Sequence, residues 1–130
     1  MYSGKPALAI GHFERFKRLN PLDPGAHRAG MYHAIALAFL QRWEETEESA
    51  RGSLAACGGR NPWSWVFLMV AQGAQMKFNE AASSIRELKK VAPHWDRGFV
   101  ENFLTECQED KGLLVPIFQI LRSVWPDDDS

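Results

Sequence analysis

Two segments of the chain repeat the same order of residue types 35 positions apart, and this spacing limits the fold more than any other feature of the sequence. Each segment opens with a basic and an aromatic residue, Arg42-Trp43 and Lys77-Phe78. Each continues with a glutamate, a small side chain and an amphipathic run, and each ends at a proline. A shared period of this length is typical of stacked helical hairpins. We therefore expect an all-α fold.

Apolar residues at helical spacing predict roughly six or seven helices and no strand of comparable strength. The connections between them are short, which favours antiparallel neighbours in a single domain that covers residues 1–130. In the helix that begins near Phe99, we expect Phe99, Phe103 and Leu104 to face inward. The predicted order is one partial-repeat helix, two helical hairpins and a closing helix pair, at residues 6–19, 26–61, 62–93 and 95–125.

The second hairpin, residues 62–93, carries three further landmarks. A large aromatic residue stands early in its first helix, a small residue early in its second, and a proline at its end: Trp65, Ala81 and Pro93. In this pattern it resembles a tetratricopeptide repeat. The resemblance implies an antiparallel helix-hairpin solenoid with two full repeats and flanking helices, in which the small Ala81 lets paired helices approach closely. It also implies five substantially buried side chains: Trp65, Leu68, Ala81, Ile85 and Leu88.

The upstream hairpin, residues 26–61, matches the same pattern less well. Thr46 stands where this family usually has alanine, and the closing proline comes about four residues late. Residues 6–19 resemble the second helix of a further unit. The run RLNPLDP and the closing LLVPIFQILRSVWP resemble the C-terminal repeat region of some bacterial multidomain proteins, where it follows a class III nucleotide cyclase domain or a winged-helix DNA-binding domain. That resemblance implies a part of a larger bacterial signalling protein, with any cyclase activity outside this chain.

Charge and hydropathy exclude several classes of partner. The formal net charge is −1, so the chain as a whole has no electrostatic attraction for a phosphate backbone. No apolar run approaches the roughly 18 residues of a membrane span, and no signal-peptide pattern opens the sequence. We expect a cytoplasmic protein that binds neither nucleic acid nor membrane.

No residue pattern supports catalysis, a cofactor or a metal. Cys57 and Cys107 are far apart in sequence and form no metal-binding motif. The acidic run EETEE spreads around a helix, whereas a catalytic pair of carboxylates must point at one site. Nucleophile elbows and phosphate-binding loops are absent from the sequence. The histidines lack the spacing of four that a zinc pair on one helix needs, and we expect structural roles for them: His12, His27, His33 and His94.

A non-catalytic protein-interaction module, or scaffold, is the function that the sequence favours. In a helix-pair solenoid the first helices of successive pairs line a concave surface, which would grip a protein, a peptide or another domain of the same chain. The alternative is a structural or dimerising segment that has no ligand of its own and forms a homodimer. The residues predicted to line the concave surface are Arg28, Met31, Ile35, Phe39, Trp63, Val66 and Val70.

Trp63 separates these two functions. Because Trp65 already fills the packing position between the helices, Trp63 has no evident duty in the core. As a binding residue, Trp63 would be partly exposed, with Arg28 close enough to meet an acidic partner. As a purely structural residue, it would be fully buried.

Overall fold

The computed structural model describes residues 26–108 and 111–125, and within these ranges every regular element is a helix. The predicted helix at residues 6–19 lies outside the described part of the chain. No helix in the described ranges is both long and apolar enough to cross a bilayer. The elements are α1 (Ala26–Phe39), α2 (Trp43–Cys57), α3 (Pro62–Ala74), α4 (Phe78–Val91), α5 (Arg97–Cys107), a 3-10 turn (Lys111–Leu114) and α6 (Val115–Val124).

The turn from α1 to α2 and the turn from α3 to α4 share one geometry at positions 35 residues apart. In each turn one residue has a left-handed backbone, at Gln41 with φ 58° and at Met76 with φ 63°. The next amides, of Arg42 and Lys77, donate to carbonyls five residues earlier at 3.0 and 2.8 Å. The sequence period therefore coincides with a repeated backbone hydrogen-bond pattern.

Equivalent caps start α3 and α5, again 35 positions apart. The Asn61 side chain accepts a hydrogen bond from the Trp63 amide at 3.1 Å, and the Asp96 carboxylate accepts one from the Phe99 amide at 2.7 Å. Such caps satisfy amides that have no partner within the first helical turn. The predicted start of the second hairpin at residue 62 is confirmed.

Helix α3 lies at the centre of the core, where it packs against α1, α2, α4 and α6. All residues from 66 to 73 are buried, and the helix carries no charged side chain that would need solvent. Among the five predicted packing residues, Leu68, Ala81 and Leu88 are buried, whereas Trp65 and Ile85 are partly buried against the core.

Thr46 shows how the first hairpin accommodates a residue other than alanine at the position equivalent to Ala81. Thr46 is fully buried, and its hydroxyl donates to the Arg42 carbonyl at 2.7 Å. A hydrogen bond at the start of α2 thus satisfies the polar group that burial would otherwise penalise.

The last helix, α6, packs against α3 as well as against α4 and α5. Its buried side chains are Ile117, Leu121 and, just beyond its end, Trp125. Helix α6 contacts α3 at Gly73. A Cβ added to this glycine would lie 2.8 Å from Val124 Cγ1 and 2.9 Å from Ile120 Cγ2. Because real Cβ contacts are not that short, the observed crossing requires a residue without a Cβ.

Candidate functional site

Most of the predicted concave surface belongs to the core instead. Five of the predicted residues are buried: Met31, Ile35, Phe39, Val66 and Val70. The reason is that α1 and α6 both pack against α3, and Gly73, which shares a helical spacing with Val66 and Val70, lies at the contact with α6. The side chain of Arg28 lies outside the described residues. Trp63 alone among the described members of this set keeps part of its surface exposed.

Trp63 belongs to a closed group of four aromatic rings, here named the aromatic cluster, formed by Trp63, Trp95, Phe99 and Phe103. Successive ring centroids around the cluster are 4.9, 4.8, 6.3 and 4.9 Å apart. The rings are tilted or edge-on to one another, which is the arrangement that aromatic quadrupoles favour. Phe67 lies 6.4 Å from Trp63 and joins the cluster to the buried core.

The aromatic cluster is open to solvent along one side. Phe99 is 43% exposed and Phe103 is 41% exposed, while Trp63 and Trp95 are half-buried. Large aromatic side chains that adjoin one another at a surface are typical of interaction sites, because isolated apolar residues are common there but contiguous ones are not. This cluster is therefore the candidate docking surface.

The prediction that Phe99 and Phe103 face inward is wrong. The prediction for Leu104 is confirmed, because helix α5 buries Leu104 together with Val100, the adjacent residues on its apolar stripe. The stripe is too wide for the neighbouring helices to cover completely, so one half enters the core and the other half carries the exposed rings.

Charged groups of both signs lie near the aromatic cluster. Glu106 is exposed one helical turn beyond Phe103, so it lies on the same face of α5. Cations lie near the cluster as well. Lys89 donates to the Trp95 carbonyl at 2.9 Å and lies 5.8 Å from the ring centroid of Trp125, which is outside the cluster. Arg97 donates to the Trp125 carbonyl at 3.2 Å.

A separate site, formed by polar side chains, lies between α2 and the turn from α3 to α4. Its centre is Glu47, whose side chain is only 10% exposed. The carboxylate accepts hydrogen bonds from Arg51 at 2.8 Å, Gln75 at 2.8 Å and Lys77 at 3.0 Å. Burial by itself raises the pKa of Glu47, but these hydrogen bonds outweigh it, so the pKa lies below its ordinary value of 4.5. These hydrogen bonds link α2 to the turn between α3 and α4.

We expect Glu47→Gln to lower the free energy of unfolding by about 1–2 kcal/mol at pH 7, because the charged hydrogen bonds weaken. With its pKa depressed in the folded state, Glu47 contributes stability that is present above 4.5 and is lost as the pH falls through the lower folded-state value. Urea titrations should therefore show the difference between wild type and variant shrinking below about pH 4. Glu44→Gln, at an exposed glutamate of the same helix, is the control; an undiminished Glu47→Gln difference in acid contradicts this account.

Two pairs of buried polar side chains lie where α2 contacts α1 and α3. The imidazole Nδ1 of His33 lies 3.1 Å from the Ser49 hydroxyl, and both residues are buried. The hydroxyls of Ser53 and Ser64 lie 2.8 Å apart at the crossing of α2 and α3. A nucleophile must be reached by its substrate, so this buried His–Ser contact gives no support to hydrolytic chemistry. The described residues contain no group of three or more potential metal ligands.

Sequence reasoning missed three members of the aromatic cluster, although a signal for them is present. Trp95, Phe99 and Phe103 recur every four residues, which places them along one side of a helix and its preceding turn. That spacing predicts an aromatic row but does not say whether the row faces the core. Tertiary packing decides this, and in the folded chain Phe99 and Phe103 stay partly exposed.

Comparisons with known proteins add no relative. A scan against the models of known protein families, a search of curated proteins and a search of solved structures each find no match to this chain. The resemblance to tetratricopeptide repeats accordingly stays a prediction from the sequence, and the function must be argued from the geometry.

Proposed function

We propose that the chain is a non-catalytic protein-interaction module and that the aromatic cluster is its docking surface. The observation that supports this proposal is the exposure of Phe99 and Phe103, at 43% and 41%, in direct contact with the rings of Trp63 and Trp95. Aromatic side chains dominate binding hot spots, because they bury a large area and lose little conformational freedom. Here they are held in place by their mutual contacts before any partner arrives.

The helical-repeat arrangement is part of the same proposal. Support comes from the turns at Gln41 and Met76 and from the caps at Asn61 and Asp96, since each pair is spaced by the sequence period. We take α1–α2, α3–α4 and α5–α6 as successive hairpins. In a hairpin solenoid the first helices line the binding surface, and the cluster lies on first helices α3 and α5 and on the turn before α5. The cluster therefore takes the place of the surface predicted between α1 and α3.

The proposal also gives this module a place in a larger bacterial signalling protein of the cytoplasm. Its support is the sequence resemblance of RLNPLDP and the closing segment to regions that follow a nucleotide cyclase or a winged-helix domain. In that setting the occupant of the cluster is a separate protein or another domain of the same polypeptide. A dimerising segment with no ligand of its own is the alternative, and it would use the same exposed rings between two copies.

Photo-cross-linking tests the proposal without knowledge of the partner. Benzoylphenylalanine is placed at position 103, where it keeps an aromatic ring, and the full-length protein is irradiated in its own cells. The matched control is the same substitution at Phe78, which is 49% exposed. Phe78 is the first residue of α4 and follows the end of α3 that is opposite Trp63. Mass spectrometry identifies the linked peptides.

The three possible outcomes are distinct. A cross-link from position 103 to another protein or to another domain, absent from position 78, supports the interaction module. Cross-links between two copies of this chain support the dimerising alternative. Equal labelling from both positions, or none from position 103, contradicts a docking role for the aromatic cluster.

A further inference from the structure

We infer that Lys89 is a positioning residue of the aromatic cluster: it lies outside the four rings and sets their arrangement through the backbone of Trp95. This inference rests on the proposed function. It adds a residue of α4 to a docking surface whose rings come from α3, from α5 and from the connection that precedes α5.

The ammonium group of Lys89 holds the backbone at Trp95. Lys89 is in the last turn of α4, and its Nζ donates a hydrogen bond to the Trp95 carbonyl oxygen at 2.9 Å. A hydrogen bond from a charged donor is stronger than one between neutral groups. The Trp95 amide donates in turn to the carbonyl of Ala92, the cap residue of α4, at 3.0 Å. Both backbone polar groups of Trp95 are therefore bound to the end of α4, which fixes the point from which its ring extends.

The side chain of Lys89 is itself held by a second contact, with Trp125. Lys89 Nζ lies over the Trp125 ring, 5.8 Å from its centroid, where a cation is attracted to the face of the ring. Trp125 is buried just beyond the end of α6, so it gives the lysine a fixed neighbour. Lys89 thus connects the end of α6 to the backbone that carries the Trp95 ring.

Trp95 is the ring of the cluster whose placement depends on such a contact. Trp63, Phe99 and Phe103 lie on helices, where backbone hydrogen bonds fix them, whereas Trp95 lies in the connection between α4 and α5. The centroid of its ring is 4.9 Å from that of Trp63 and 4.8 Å from that of Phe99. A displacement of Trp95 would therefore change the ring contacts on both sides of it.

A fluorine label beside Trp95 tests the inference on the free chain. Para-fluorophenylalanine is placed at position 99, so that its fluorine NMR signal reports the arrangement of the adjoining rings. Lys89→Met keeps a long, flexible side chain but removes the ammonium group. We expect it to move the signal at least halfway toward its position in the urea-unfolded chain. The control is Lys90→Met, at the next residue, whose ammonium group pairs with Glu87 at 2.9 Å; it should leave the signal unchanged.

Two further measurements separate positioning from stability. Lys89→Arg should keep the fluorine signal close to that of the wild type, because its guanidinium also donates to carbonyls and stacks on aromatic rings. In the Lys89→Met background, the specific cross-link from benzoylphenylalanine at position 103 should fall several-fold. Circular dichroism shows whether each variant is folded, and a role in stability alone would leave the fluorine signal of the folded variant in place.

The results distinguish failure of this inference from failure of the proposed function. If Lys89→Met is folded and its fluorine signal does not move, or if Lys90→Met moves the signal equally, the inference is overturned. It is also overturned if Lys89→Met does not fold, which assigns Lys89 to stability alone, or if the signal moves while the cross-link is undiminished. In all these cases the interaction module stands as long as position 103 of the wild type still cross-links specifically. If the wild type gives no specific cross-link, the proposed function fails and the inference falls with it.

Discussion

Replacing Trp125 by alanine is expected to lower the free energy of unfolding by about 3–5 kcal/mol, the largest loss that we predict for a single side chain. Trp125 is only 1% exposed. Its ring lies near the ammonium group of Lys89 on α4, and its carbonyl accepts a hydrogen bond from Arg97 on α5. Truncation leaves a cavity where three helices meet, because the surrounding backbone can collapse only in part. Chemical denaturation followed by circular dichroism measures the loss.

Trp125→Phe is the matched control for that experiment. It keeps an aromatic ring and most of the buried area, so its loss of stability should be clearly smaller, roughly 1–2 kcal/mol. Denaturation midpoints that are the same for wild type and Trp125→Ala would show that this residue does not anchor α6, and that the C-terminal helix contributes little to the core.

Gly73→Leu is expected to destabilise the fold by about 3 kcal/mol through overpacking between α3 and α6. Even a methyl group at this position would lie within 3 Å of methyl carbons of Val124 and Ile120. Both of these side chains branch at Cβ and have few alternative rotamers, so they cannot move aside. The helix α6 must shift as a whole. Thermal melting, together with hydrogen exchange of the α6 amides, detects this displacement.

Gly52 provides the control, because it also lies inside a helix but has no neighbouring atom within 4 Å of the position that a Cβ would occupy. There, leucine meets no neighbour and favours the helix over glycine, so Gly52→Leu should raise stability by roughly 0.5–1 kcal/mol. We expect leucine to raise the free energy of unfolding at position 52 and to lower it at position 73. The same sign at both would mean that the close crossing of α3 and α6 does not exist in solution.

The helices were predictable because their signals are local. Asn61-Pro62 marks the start of α3, and Gly58, with φ 67°, closes α2 as its position suggests. Ala81 and Leu88 are buried because spacing alone places them on the inner face of α4. Each of these features depends on residues that lie within one or two helical turns of one another. A short stretch of sequence is therefore enough to predict it.

The candidate surface was not predictable in the same way, because it depends on how helices distant in sequence meet. Val66 and Val70 have the residue types expected either of a groove or of a core, and both are fully buried because α3 is packed on several sides by other helices. Phe99 and Val100 are equally apolar neighbours, yet one is exposed and the other buried. Binary patterning identifies an apolar stripe but does not say which half of a wide stripe is covered.

The long sequence separation between Gly73 and Val124 predicts the order in which the chain gains its structure. The two residues are 51 positions apart, whereas α1–α2 and α3–α4 meet across turns of only a few residues. Closing the longer loop costs more chain entropy, so we expect the α1–α2 and α3–α4 pairs to form before α6 packs against α3.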